Sequence, residues 1–239
     1  MTTSTPILSV PLRRRMSKTA YYLVCSVFAF IFLFPLFWSL LNAVKPASEA
    51  SASPPTFLPS HITIENFIKL NQYGAGISRY LFNSVSVAAA TVICTVVIST
   101  LGGYGFSRFR FRGKNLLFVL ILSTLMIPFQ SILIPLFMVL IKLKLNDTLF
   151  GLALVYITFQ LPFGIYIMRS AFDAVPREIE ESALLDGCNS FNLLYKVMIS
   201  LVKPGIVTVS IYTFINSWNE FMAALIFMLK KRISRCQYC

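Results

Sequence analysis

Acid is scarce in this chain, and histidine scarcer. Of 239 residues, nine are Asp or Glu and one, His61, is a histidine. A single histidine excludes a metal cluster built from several histidines within the chain. His61 also lies outside the long apolar runs, and those runs hold hardly any acid, so a membrane enzyme would lack groups for general acid–base chemistry. No G-x4-GK[ST] phosphate loop occurs, so the chain supplies no such site for ATP. Cysteine is sparse and scattered: Cys25 and Cys94 lie within apolar runs and read as small hydrophobes, Cys188 stands in a polar stretch, and Cys236 and Cys239 form a CxxC at the end. That CxxC has neither a second ligand pair nor a following helix to lower a thiol pKa, which makes it a weak metal or redox signal. No metal and no cofactor are expected.

Charge of either sign is thin. Charged residues make up 13% of the chain, against roughly 25% in soluble domains. Hydrophobic residues make up 56%, and the mean hydropathy is +0.74. This composition reads as an integral membrane protein. The net charge of +12 does not argue for nucleic acid, because the lysines and arginines crowd the loops between apolar runs, where topology places them.

Five apolar runs are long enough to span, at about 21–41, 81–106, 116–141, 149–168 and 205–229. A bilayer core of about 30 Å takes around 20 residues of helix. The first four runs contain no charged residue. Runs this long do not alternate with period two, which excludes a barrel. The expected fold is an all-α polytopic membrane helix bundle. The first run exceeds the h-region of a signal peptide and carries Phe34, Pro35, Phe37 and Trp38 near its far end, so a retained anchor is expected.

The basic residues orient the chain. Arg13, Arg14, Arg15 and Lys18 place residues 1–20 in the cytoplasm. The loop from Ser107 to Lys114, then Arg169, Arg177, Lys196 and Lys203, fall on the same side. Residues 42–80, with Pro54, Pro55 and Pro59, form an extracytoplasmic loop expected to be irregular. The tail runs against this pattern: five spans from an inside N-terminus leave Lys230, Lys231, Arg232 and Arg235 on the outer face.

One polar interruption stands out, from Val175 to Phe191. Pro176 suits the first turn of a helix, and Glu178, Glu180 and Glu181 follow where carboxylates favour its positive end. Ile179, Ala183 and Leu184 fall on one face, and Gly187 sits where a left-handed residue would stop the helix. A second helical stretch then starts at Phe191. An interfacial helix usually carries lysines on its polar face, whereas this face is acidic, so a protein partner fits better than anionic lipid.

Glu181-Ser-Ala, three residues and Gly187 resemble the EAA loop of permease subunits in bacterial ATP-binding-cassette importers, E-A-A-x3-G-x9-I-x-L-P. Ser182 takes the second position, Val197 the isoleucine position, and Ile199-Ser200 replaces Leu-Pro, with Pro204 shortly after. Asn83-Ser84, Gly103-Tyr-Gly-Phe-Ser-Arg108, Met126-Ile-Pro-Phe-Gln130, Ile134-Pro135, Asn146-Asp-Thr148, Leu161-Pro-Phe-Gly164, Met168-Arg169, Lys203-Pro204 and Trp218-Asn-Glu-Phe221 resemble the carbohydrate branch of these permeases, the maltose-permease G type. The resemblance covers about 83–225.

The resemblance implies the type I importer permease fold in a bacterial inner membrane. It implies a related second permease subunit as heterodimer partner, two ATPase subunits and an extracytoplasmic solute-binding protein, in contact with membrane lipid. The permease domain would span 81–229, with its coupling loop at 173–203. Glu178, Glu181, Ser182, Ala183, Asp186 and Gly187 would dock the ATPase, none of them catalytic. Such permeases continue to a sixth span, so residues 230–239 are expected to be an aberrant basic tail with that span missing.

Glu220 lies within the fifth run, where an ionisable group is a functional candidate. It either hydrogen-bonds within the bundle beside Asn216 and Asn219, or these three touch a polar solute in the translocation path. The phenylalanines read as lipid-facing and packing residues. Pro128, Pro135 and Pro162 read as hinges or simple kinks. A polyol or glycerol phosphate importer is the alternative within the same machine. An ion-coupled cotransporter would prefer broken helices and paired intramembrane carboxylates.

Overall fold

The computed structural model describes residues 10–52, 56–72 and 76–228, with side chains from residue 18 onward. The basic tail at 230–239, including Cys236 and Cys239, and Pro54 and Pro55 lie outside the described residues. The chain divides into two units, 1–79 and 80–239.

The first unit is built on α1 (Val10–Val44). The sequence predicts a helix from 21, but it starts eleven residues earlier, because the arginines and lysine ahead of the apolar run are good helix formers. From Lys18 to Val44 none of its best apolar window is buried within the chain, as a lipid-facing span allows. Past α1 come α2 (Ala47–Ala50) and α3 (Glu65–Gln72).

The loop that holds them is more ordered than its prolines suggest. Lys45 is 1% exposed. Its ammonium donates to the Thr56 carbonyl and lies 4.6 Å from the centre of the Trp38 ring. Phe57 meets that ring edge-on at 5.4 Å. Asn66 Nδ2 donates to the Ala43 and Lys45 carbonyls at 3.1 and 2.7 Å, and Thr63 N–H donates to the Val44 carbonyl at 2.9 Å. These bonds satisfy carbonyls that a helix end leaves open. Glu49 accepts from both the N–H and the hydroxyl of Ser60.

The second unit contains most of α4 (Ile77–Arg108), then α5 (Lys114–Ser123) with a 3-10 turn at Thr124–Met126, α6 (Phe129–Lys142) and α7 (Leu149–Asp173). There follow α8 (Arg177–Leu185), α9 (Ser190–Asn192), a π-helical stretch at Leu193–Met198, α10 (Ile199–Leu201), α11 (Lys203–Asn219) and α12 (Met222–Phe227). All regular structure among the described residues is helical.

Three helices are long and apolar enough to cross a membrane, and up to five spans result if each of two bent pairs counts as one. The predicted run at 116–141 is one of those pairs: α5 with its 3-10 turn meets α6 at 103°. Pro128 causes the break. Its ring disfavours helical geometry in the residue before it, and Ile127 is extended at φ −83°, ψ 119°. Neither α5, with 10 residues, nor α6, with 14, spans a bilayer alone. Pro135 and Pro162 sit inside α6 and α7, which continue past them. The predicted run at 205–229 is also interrupted, since α11 stops at Asn219 and Glu220 turns extended with ψ 114°. At its other end α11 meets the preceding helical segment at 75°.

Small residues bring α4 and α7 together. Ala88, Thr91, Thr95, Ser99, Gly103 and Ser107 recur at helical spacing and are all buried. A Cβ on Gly103 would stand 2.5 Å from Met168 Cβ and 2.7 Å from the Arg169 backbone nitrogen. One on Gly164 would stand 2.9 Å from Ser99 Cβ. In lipid, where no hydrophobic force drives helices together, such close backbone packing provides the attraction. Two apolar clusters flank the seam. Val87, Leu133, Leu140, Leu152, Tyr156 and Phe227 belong to one; Met168, Phe172, Val175, Ala183, Met198 and Val209 belong to the other.

Candidate functional site

The polar interruption folds as the predicted elbow, beside the second cluster. Pro176 stands at the N-cap of α8, one position before the first helical residue. Glu178 and Glu180 occupy the first turn. Gly187 has φ +82°. The Cys188 N–H bonds to the Ala183 carbonyl at 3.1 Å and the Gly187 N–H to the Leu184 carbonyl at 3.0 Å. This is the paired Schellman arrangement, which needs a left-handed residue at Gly187. A Cβ there would meet nothing within 4 Å, so backbone conformation rather than space selects glycine.

The buried face differs from the predicted one. Of Ile179, Ala183 and Leu184, only Ala183 is buried, packed with Val175, Leu193 and Met198. Ile179 and Leu184 are exposed. The inward position goes instead to Glu180, whose carboxylate pairs with Arg108 at the end of α4. Helical spacing places Glu180 near Ala183, and the buried partner for its charge comes from a distant helix.

Arg108 holds more than the acid. Its Nη2 donates to the Val175 carbonyl at 2.8 Å, in the turn between α7 and α8. Next to it, Ser107 Oγ donates to Asp173 Oδ1 at 2.5 Å. Arg169 Nε lies 3.5 Å from the other oxygen of Asp173, and its guanidinium lies 4.0 Å from the Phe118 ring centre. Lys114 Nζ donates to the Ser107 and Phe109 carbonyls at 3.2 and 3.1 Å. Arg108, Ser107 and Asp173 escaped prediction as site residues. The Gly103–Arg108 motif contained two of them, but nothing local reveals their partners.

The remaining predicted docking residues face out. Glu178, Glu181, Ser182, Asp186 and Gly187 are exposed. Ser182 Oγ donates back to the Glu178 carbonyl at 2.7 Å. Exposed apolar side chains border these acids: Leu184, Leu185 at 88% exposure, Phe191 and Tyr195, the last two with near-parallel rings 6.3 Å apart. Acid beside apolar surface suits a protein contact with basic and apolar groups.

The predicted path residues gather at the break after α11. Glu220 accepts from the Met222 and Ala223 N–H groups at 3.0 and 2.9 Å and from the Tyr156 hydroxyl at 3.0 Å. Asn216 Nδ2 donates to the Tyr212 carbonyl at 2.8 Å, and its own carbonyl accepts the Glu220 N–H at 3.0 Å. Asn219 is exposed. At the break Glu220 thus accepts hydrogen bonds from α7 through Tyr156 and from the start of α12.

Residues 96–236 match the family described as binding-protein-dependent transport system inner membrane component. The chain is 39% identical over 209 residues to the probable ABC transporter permease protein YurM of Bacillus subtilis, covering 85% of this chain and 69% of that protein. It is 31% identical to the inner membrane ABC transporter permease protein YcjP of Escherichia coli, covering 90% and 78%. It is 30% identical to the arabinooligosaccharides transport system permease protein AraQ of Bacillus subtilis, covering 92% and 77%. Its fold matches a chain in the crystal structure of a bacterial ABC transporter involved in import of the acidic polysaccharide alginate, with a TM-score of 0.77, 22% identity and coverage of 98% and 81%. The helical bundle, its glycine-stopped acidic elbow and these matches together assign the chain to the inner-membrane permease components of binding-protein-dependent, ATP-binding-cassette importers.

Proposed function

We propose that this permease belongs to a sugar importer and docks its ATPase subunits through α8. The observation that carries the reading is the outward set of Glu178, Glu181 and Asp186 on a helix whose end is fixed by Gly187. Ser182 keeps the helix surface small, and Ala183 seats it on the bundle. The elbow then lies in the cytoplasm and the N-terminus with it, as the basic loops favour.

A second permease subunit completes the path, two ATPase subunits supply the energy, and an extracytoplasmic protein delivers the solute. Relatives named for arabinooligosaccharide and diacetylchitobiose transport support a carbohydrate cargo. Asn216, Asn219 and Glu220 are the polar groups proposed near the path, with Asn219 the one left exposed. Breaks do occur in the helices, but within the five apolar runs of the sequence Glu220 is the one acid, whereas a cotransporter of that kind would pair carboxylates.

The test is to co-purify the chain with its partner permease and ATPase subunits. Glu178→Lys with Glu181→Lys should leave the permease pair intact, with stability lowered by about 1 kcal/mol from the charge change near the positive end of α8. ATPase subunits should be lost from that complex. Full retention of them would remove α8 as the docking element.

A further inference from the structure

Arg108 ends α4, yet its contacts lie on the far side of the turn into α8. We infer that Arg108 is a positioning residue that binds the ends of α4 and α7 and the elbow into one body, so that displacement of α8 reaches α4 through the Arg108–Glu180 pair. The inference rests on α8 being the ATPase contact.

The elbow is joined to α7 by continuous chain through Ala174-Val175-Pro176. No neighbouring chain joins it to α4. The charged link there is the guanidinium, which pairs with the Glu180 carboxylate and donates to the Val175 carbonyl, beside the apolar packing of Val96 and Tyr104 against the cluster that holds Ala183. The two charged side chains are 7% and 15% exposed, so water and salt screen them little. A planar guanidinium reaches two acceptors at fixed angles, which a lysine ammonium does not reproduce.

The α4–α7 side of this joint is stiff. Ser107 is bonded to Asp173, and Gly103 lies against the backbone of Met168 and Arg169. The other exit from the elbow is built differently. The chain passes through the π-helical stretch and α10 and bends by 75° beside Val202. No ion pair bridges that bend among the described residues. A push on α8 therefore meets a polar joint toward α4 and α7, and toward α11 it meets apolar packing, with Met198, Val202 and Val209 buried in the same cluster as Ala183. Glu180 fits this division of labour: Glu178 and Glu181 face out, while Glu180 alone among the acids of α8 turns to the bundle.

The experiment uses the complete importer in proteoliposomes and reads uptake per ATP hydrolysed, with ATPase stoichiometry measured in the same preparation. Variants are Arg108→Ala, Glu180→Ala, both together, and the reversal Arg108→Glu with Glu180→Arg. Each single change should lower uptake per ATP by roughly two- to thirtyfold while ATPase subunits stay bound. The double alanine variant should be no worse than the worse single, and the reversal should recover above either. Arg108→Lys keeps the charge and loses the fork, so it should fall between wild type and Arg108→Ala. Should Arg108→Ala fail to assemble, Arg108→Lys and the reversal decide the matter. Additive losses, a reversal no better than the singles, or wild-type coupling in the assembled variants overturn the inference. Bound ATPase with unchanged coupling overturns it alone. Absence of ATPase subunits from the wild-type complex overturns it together with the docking role of α8.

Discussion

Two polar interruptions cut the apolar part of this chain, and they dispose of their charges in opposite ways. At Glu220 the carboxylate is taken up internally by two backbone N–H groups and the Tyr156 hydroxyl. At the elbow only Glu180 is taken up, and Glu178, Glu181 and Asp186 are left facing out. The first arrangement fixes a shape; the second leaves acid available to something else. An acid within a hydrophobic stretch is therefore no guide to function until its hydrogen-bond partners are known. Glu220 drew attention as a candidate path residue, and its hydrogen bonds show that it also caps the start of α12.

The contrast breaks most sharply at Glu220. Glu220→Ala removes the acceptor of three hydrogen bonds and leaves the buried Tyr156 hydroxyl without its carboxylate. Stability should fall by about 3 kcal/mol, as for hydrogen bonds to a charged group. Glu220→Gln, which keeps one acceptor oxygen, should recover part of it. Thermal unfolding in detergent measures both, and a wild-type midpoint for the alanine variant would dissolve the distinction between the two interruptions.

A smaller effect is expected at Gly187. Gly187→Val imposes a left-handed conformation on a β-branched residue, at about 1–2 kcal/mol locally. Space is open there, so the cost is conformational and the bundle should insert normally. Uptake should fall, with Gly187→Asn milder than valine because Asn tolerates the left-handed region. Uptake at wild-type level in the fully assembled valine variant would separate the Schellman stop from coupling.

The smallest effect concerns Glu49, which is partly exposed yet claimed by its own loop. Its carboxyl is held below the usual carboxylate range by the hydrogen bonds from Ser60, side chain first and backbone second. A carboxyl lowered in the folded state contributes stability that is present above its unfolded pKa and is lost as pH falls through the folded value. A slight acid-side weakening of the loop should therefore appear and should shrink in Ser60→Ala. Titration of the Glu49 carboxyl by NMR checks it: no upward shift in Ser60→Ala would remove Ser60 as the cause.

What the sequence made legible was what depends on neighbours in the chain. The stop at Gly187 is local, because a left-handed residue and its two hydrogen bonds fall within six positions. The apolar runs were legible as composition, and the EAA-like spacing as pattern. Pro128 was legible as a hinge or kink, but the 103° angle there and the helix end at Glu220 were not, because hydropathy counts both within runs that remain apolar on average. Arg108 escaped because the carbonyl it holds lies 67 residues away, and the facing of Glu180 with it. Lys45 escaped for a related reason: its burial depends on Trp38, Thr56 and Phe57 meeting around it, while the prolines suggested an open loop.

The helix α7 touches both interruptions. Tyr156 near its start holds Glu220, and Asp173 at its end holds Ser107. Those two contacts stand seventeen positions apart along the helix, a shaft of roughly 25 Å. Tilting a rigid shaft of that length by about ten degrees carries its far end about 4 Å. Pro162 stands partway along, where its ring removes one rung of the hydrogen-bond ladder. The shaft joining the two contacts thus lacks one hydrogen bond of an unbroken helix, and that proline is where its ladder is weakest.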